Sequence, residues 1–169
     1  MRRMVRMRRE FYISAVYHIY NRGNNRMNVF PDSEDKEIFL ELIDNYRERF
    51  GFKIYAICLM DNHYHMLLQV SHKHNISRVM QSLTLAYSSQ YRRKYKYSGH
   101  LWQSRFKSRV IERQKYLNEC IEYIHVNPVK AEIVKTSVDY PYSSAGVFEG
   151  QSEFVGDSLR MDSVETLYS

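Results

Sequence analysis

Two runs of the 169-residue chain, Lys53 to Leu59 and His63 to Val70, are separated only by Met60, Asp61 and Asn62. Both runs are rich in apolar and aromatic residues, and a junction this short folds two strands back on one another as an antiparallel hairpin. No other feature constrains the fold as much, since it commits the middle of the chain to an antiparallel sheet. The second strand carries His63 and His65.

The flanking sequence supplies partners for that hairpin. Val16 to Arg22 mixes β-branched and aromatic residues with partial alternation and ends at Gly23, so it reads as a strand followed by a turn at Asn24 and Asn25. A helix comes next: Asp32 or Ser33 can cap it, Glu34 and Asp35 lie in its first turn, Ile38, Phe39, Leu42, Ile43 and Tyr46 recur at helical spacing, and Gly51 stops it. From Asn75 or Ser77 a second long helix runs towards Tyr95. Val79, Met80, Leu83, Leu85, Ala86 and Ser89 point to the core in this reading, and Arg92, Arg93, Lys94 and Lys96 form a basic end before Gly99. After the loop LWQSRFKS, Arg109 to Glu112 form a short strand and Lys115 to His125 a third helix that ends at Pro128. The order predicts an α+β fold of the ferredoxin-like kind, an antiparallel sheet with helices packed mainly on one face.

The composition, 44% hydrophobic and 26% charged, is that of a globular chain, and no repeat or low-complexity segment interrupts it. Residues 1–148 read as one domain opening with a basic arm, MRRMVRMRRE, whose likeness to a signal peptide is broken by Tyr12, Ser14, Tyr17 and His18. Beyond Tyr140 the chain turns acidic and loop-like, and 149–169 is expected to be a loosely packed tail. No apolar run approaches the roughly 20 residues that span a bilayer, which predicts no membrane partner. Cys58 and Cys120 lie far apart without a CxxC spacing, so neither a disulfide scaffold nor a zinc ribbon is suggested, and a reducing cytoplasm is expected. The net charge of +6 and pI near 9.3 favour a polyanionic partner. Charge alone does not separate DNA, RNA and acidic membrane. The 15 tyrosines, mixed with Lys and Arg, suit base stacking as well as a small core and its rim.

Two segments carry candidate chemistry. On a strand, residues i and i+2 share a face, so His63 and His65 reach one ion while Tyr64 faces the other way. Two imidazoles leave coordination positions open for another protein ligand, water and a phosphate oxygen. A lone His-x-His is as readily incidental, and His72 and His74, a second such pair in an apparent loop, read as solvated. In the run YIHVNPVKA, Tyr123 and Asn127 lie one helical turn apart, bringing a phenol and an amide to one face with His125 turned away. The alternative is that Asn127 and Pro128 only stop the helix, with Asn127 biased to extended backbone by the proline, and that Tyr123 is a core or rim residue.

Five collinear segments, HIYNRGNNR at His18–Arg26, AICLMDNHYHMLL at Ala56–Leu68, LWQSRFKSRVI at Leu101–Ile111, YIHVNPVKAEIV at Tyr123–Val134 and DYPYSS at Asp139–Ser144, closely resemble the single-tyrosine HUH transposases, insertion-sequence 200-like, in the branch of REP-associated tyrosine transposases. The resemblance implies a ferredoxin-like nuclease in which His63 and His65 bind Mg²⁺ or Mn²⁺ and Tyr123 attacks single-stranded or hairpin DNA. A 5′-phosphotyrosine then holds the broken strand for rejoining without a nucleotide cofactor. Related enzymes complete the metal site one turn after the tyrosine, often with glutamine; here Asn127 stands there with a shorter arm. Members often act as homodimers.

Within that frame Arg22, Arg26, Arg105, Lys107, Arg109 and Lys130 are candidates for phosphate contacts, and Trp102 and Phe106 for stacking on bases. Solvated charges, and a core anchor at Trp102, are the alternatives. Two rival functions remain open to the sequence: a catalytically silent module that binds nucleic-acid hairpins, and a metal-dependent RNA nuclease using water as nucleophile.

Overall fold

The computed structural model describes residues 14–70 and 76–167; the basic arm, His72, His74 and the candidate cap Asn75 lie outside the described residues. Four strands, β1 (Val16–Arg22), β2 (Lys53–Leu59), β3 (His63–Gln69) and β4 (Lys107–Ile111), form an antiparallel sheet in the order β2-β3-β1-β4. With helices α1 (Ser33–Phe50) after β1 and α2 (Ile76–Tyr95) after β3, this is the expected ferredoxin-like α+β arrangement. A third helix, α3 (Gln114–His125), follows the last strand, and single turns form α4 (Asn127–Lys130) and α5 (Ala145–Phe148).

Local signals place these elements. The Asp32 carboxylate accepts from the Asp35 N–H at 2.9 Å and caps α1, and Gly51 closes the helix in the left-handed region at φ 64°. Strand alternation sends Tyr17, Ile19, Ile57, Leu59, Tyr64, Met66 and Leu68 to one face, where α1 contributes Phe39, Leu40 and Ile43 and α2 contributes Val79, Met80, Leu83 and Tyr87. On the opposite face Val16, Ala56, Cys58 and Leu67 pack against Leu117, Cys120, Ile121 and Ile124 of α3. The two long helices thus share one face, and α3 lies chiefly over β2 and β3 on the other. No helix among the described residues is long and apolar enough to cross a membrane.

Three sequence expectations are corrected. In α2, Leu85 is 63% exposed and Ser89 also faces solvent. The buried stripe runs instead through Leu83, Tyr87 and Tyr91, four residues apart, and Ala86 is half-buried beside it. Strand β4 starts at Lys107, two residues early, because Tyr20 of β1 continues to pair with it. The segment after 148, expected to be loose, is docked: Val155 and Leu159 are fully buried in the main core. Asp162 clamps the β2 edge, its N–H donating to the Ile54 carbonyl and its carboxylate accepting from the Ile54 N–H, both at 2.9 Å. An exposed strand edge presents unpaired backbone groups, and this segment supplies their partners.

Candidate active site

The half of the sheet that α3 leaves open forms the floor of a groove. Register fixes its residues: Tyr20 is opposite both His65 and Lys107, His18 is opposite Leu67 and Arg109, and Arg22 is opposite His63. Residues opposite one another in a ladder share a face, so Arg22, Tyr20, His18, His63, His65, Lys107 and Arg109 all point into the groove. Two contiguous clefts meet over Tyr20 and His65. One, of about 470 Å³, is walled by Arg22, Arg26, Asn62, Gln103, Ser104 and Lys107. The other runs between Arg109 on β4 and Tyr116, Glu119 and Tyr123 on α3.

The structure brings the predicted histidines and tyrosine together. The rings of His63 and His65 lie 5.3 Å apart between centroids, and His65 meets the Tyr123 ring edge-on at 5.4 Å. Tyr123 is 45% exposed, an open phenol on the wall of the groove. Asn127 is helical despite the proline after it, because Pro128 sits in the first turn of α4, where its missing N–H is not needed. The Asn127 amide nitrogen donates to the carbonyls of Tyr123 at 2.7 Å and Ile124 at 3.2 Å. Its oxygen is the atom left for the contact that the side chain makes with His63. His125 points away, as expected, and hydrogen-bonds Ser144 Oγ at 2.8 Å.

The electrostatics keep the imidazoles neutral. Burial lowers the pKa of His65 to about 3, helped by His18 and His63, and burial with Arg109 nearby lowers that of His18 to about 4. His63 is also lowered, chiefly by burial, against a hydrogen bond that its charged ring would give to Asn127, which raises it. Neutral imidazole is the form that ligates metals. His63 Nδ1 lies 2.6 Å from Asn62 Oδ1, an atom that only accepts, so the ring proton is on Nδ1 and Nε2 carries the lone pair. With the proton on Nδ1, His63 offers a lone pair at Nε2, and Asn127 offers one at Oδ1. Among the described residues no group of three or more His, Cys, Asp and Glu side chains is placed to hold a metal; two imidazoles and one amide oxygen are the neutral donors this part of the groove offers.

The cations divide. Arg22, Arg26 and Lys107 line the first cleft with no carboxylate beside them among the described residues. The Arg22 guanidinium is held by Gln103 Oε1 through two bonds at 2.9 and 2.8 Å. Arg109 lines the second cleft together with Glu112 and Glu119, and the Lys130 ammonium lies 5.4 Å from the centroid of the Tyr123 ring. Arg105 is exposed but lines neither cleft.

Trp102 and Phe106 are corrections. The Trp102 ring packs against Phe30, Phe39, Tyr64 and Tyr87, and its N–H donates to Ser88 Oγ at 3.1 Å, on the helix-covered side of the sheet. Phe106, 7% exposed, belongs to the same core. Both aromatics are thus packed on the far side of the sheet from the groove, whose aromatic surface is Tyr20, Tyr116 and Tyr123. His18 is the site residue that motif reading missed. Its Nε2 lies 2.9 Å from His65 Nδ1 and its ring 5.9 Å from that of Tyr123. The available signal was its i, i+2 relation to Tyr20 on a strand next to β3.

The chain belongs to the family described as transposase IS200 like, whose model matches residues 12–127. It is 33% identical over 108 residues to a Haemophilus influenzae protein carrying a REP-associated tyrosine transposase assignment, a match covering 57% of this chain. The chain spans about three fifths, 61%, of that relative's length. Among solved structures, a REP-associated tyrosine transposase bound to a REP hairpin superposes with a TM-score of 0.70 at 20% identity, covering 95% of this chain and 99% of the other. A protein assigned as a transposase from Deinococcus radiodurans superposes at 0.50 and 18% identity, over 72% and 98% of the two chains. These likenesses of fold agree with the ferredoxin-like arrangement.

Proposed function

We propose that this chain nicks and rejoins single-stranded or hairpin DNA through Tyr123, with Mn²⁺ or Mg²⁺ held by His63 Nε2, His65 Nε2 and Asn127 Oδ1. The observation that carries the reading is the placement of an exposed phenol on the His65 ring while the next helical turn aims an amide oxygen at His63. The bound metal would orient the scissile phosphate oxygens and offset the charge that develops on them. Imidazole donors suit Mn²⁺ better than Mg²⁺.

In this reaction the Tyr123 phenol gives up its proton to solvent as its oxygen bonds to phosphorus, the bond from phosphorus to the 3′-oxygen breaks, and that oxygen takes up a proton from solvent. One phosphodiester replaces another, so a 5′-phosphotyrosine remains and a 3′-hydroxyl can reverse the step without a nucleotide cofactor. Arg22, Arg26 and Lys107 bind backbone phosphates in the first cleft, Arg109 extends that path, and Lys130 places a cation where phosphate meets phenol. Tyr20 offers a ring for a base on the groove floor. Hairpin DNA is the favoured form because the solved relative with 0.70 similarity is bound to one. The reading includes a homodimer, which the mass of the complex in solution tests, and a cytoplasmic setting, in which Cys58 and Cys120, both buried and unpaired, stay thiols.

The test is incubation with labelled hairpin DNA from the neighbouring genome, with Mn²⁺ or with chelator, followed by denaturing electrophoresis. A metal-dependent covalent adduct, lost in Tyr123→Phe, is the expected result. Tight hairpin binding without adduct or cleavage assigns a binding module instead, and cleavage undiminished in Tyr123→Phe assigns water as nucleophile.

A further inference from the structure

We propose that His18 is a positioning residue that fixes the ring tautomer of His65 and so turns its Nε2 lone pair into the groove; this rests on the reading of His63, His65 and Asn127 as a metal site. The two histidines of β3 are buttressed in parallel ways. His63 gives its Nδ1 proton to Asn62, the residue before it in the chain. His65 meets its partner across the sheet: its Nδ1 is 2.9 Å from His18 Nε2 on β1.

At Asn62 the direction of the bond is fixed by chemistry, since an amide oxygen only accepts. Between His18 and His65 one proton is shared and two directions exist. If His18 donates, the His65 proton sits on Nε2 and no lone pair faces the groove. If His65 donates from Nδ1, His18 accepts on Nε2 and holds its own proton on Nδ1, and His65 Nε2 is free to ligate. Only the second direction is compatible with a metal, and ligating histidines commonly hold their other ring N–H in such a bond. Packing enforces the geometry: the His18 ring stacks on His65 at 5.1 Å and 26°, and Tyr20 flanks His65 at 5.6 Å and 27°. The His65 side chain is therefore oriented by β1 before any ligand arrives. Ring contact also extends from His18 to Tyr123 at 5.9 Å, so the same side chain borders the nucleophile.

The test uses the full chain and two readouts other than DNA cleavage. The first is Mn²⁺ affinity by calorimetry or electron paramagnetic resonance. The second is the protonated ring nitrogen of His65 in nitrogen-15 spectra, assigned by its loss in His65→Gln. In the unaltered chain the proton is expected on Nδ1. His18→Phe keeps a ring but removes the acceptor, and should weaken Mn²⁺ binding by about 10- to 100-fold and move the His65 proton towards Nε2. His18→Gln, whose amide oxygen sits where Nε2 was, should restore most of the affinity. A folded His18→Phe with unaltered Mn²⁺ affinity overturns the proposal, and so does an Nε2 proton in the unaltered chain, whether or not the variants fold. Should His65→Ala bind Mn²⁺ as the unaltered chain does, the metal reading itself fails and the proposal with it.

Discussion

Asn127 is tied to Tyr123 by a bond from its amide nitrogen to the tyrosine's own backbone carbonyl, 2.7 Å long. The side chain that faces His63 is thus aimed by the helical turn that presents the nucleophile, and the two cannot move independently. A second bond, to the Ile124 carbonyl, leaves the amide no freedom to flip.

Replacing Asn127 therefore tests both its oxygen and its tether. Asn127→Leu keeps the volume but loses both, and should lower Mn²⁺ affinity and the single-turnover rate of adduct formation by about 10- to 100-fold. Asn127→Gln keeps an oxygen but misplaces the tether, and should fall between the two. Equal rates in all three would remove Asn127 from the site.

The groove's cations make a prediction about salt. Each phosphate contact released contributes a slope of about 0.7 to 0.9 in the logarithm of affinity against the logarithm of salt concentration. Lys107→Ala and Arg22→Ala should each flatten the slope for hairpin DNA by roughly one contact, whereas Arg105→Ala, outside both clefts, should leave it unchanged. Fluorescence anisotropy across a salt series reads the difference.

Trp102 should separate stability from DNA binding. Its ring touches four core aromatics, so Trp102→Ala should cost about 3 kcal/mol in urea unfolding. Trp102→Phe, less disruptive, should bind hairpin DNA as the unaltered chain does. A normally stable Trp102→Phe with weakened DNA binding would return the residue to a stacking role.

How much could be read in advance follows from where each signal is written. The strands and long helices are encoded locally: a three-residue junction between two apolar runs, and Asp32 and Gly51 at either end of α1. The pairing of His63 with His65 follows from strand alternation alone, and that of Tyr123 with Asn127 from one helical turn. His18 is different. Its partner lies 47 residues away, and the diagonal between His18 and His65 depends on β1 lying beside β3 in one register, which no local pattern specifies. Trp102 and Phe106 were misplaced for a related reason, because an aromatic among arginines suits a groove and a core equally until the strand's facing is known.

The last twenty residues carry the clearest energetic prediction. Their glycines and carboxylates resemble a solvated tail, yet Val155 and Leu159 are fully buried, and Asp162 pairs with both backbone groups of Ile54 on the open edge of β2. Close fit extends to Gly156, where φ is 57° and a Cβ would stand 2.5 Å from Leu40 Cδ1, so a side chain there meets both strain and a packed neighbour. Leu159→Ala should destabilise the chain by about 2–5 kcal/mol, the usual cost of emptying a leucine site in a core, while an exposed change in the same segment, Ser158→Ala, should stay within about 0.5 kcal/mol. Because these contacts lie on the α1 side of the sheet and its β2 edge, away from the groove, folded Leu159→Ala should keep its affinity for hairpin DNA. Urea titration followed by anisotropy on the same sample reads both quantities, and a Leu159→Ala chain as stable as the original would return this segment to the loose tail its composition suggests.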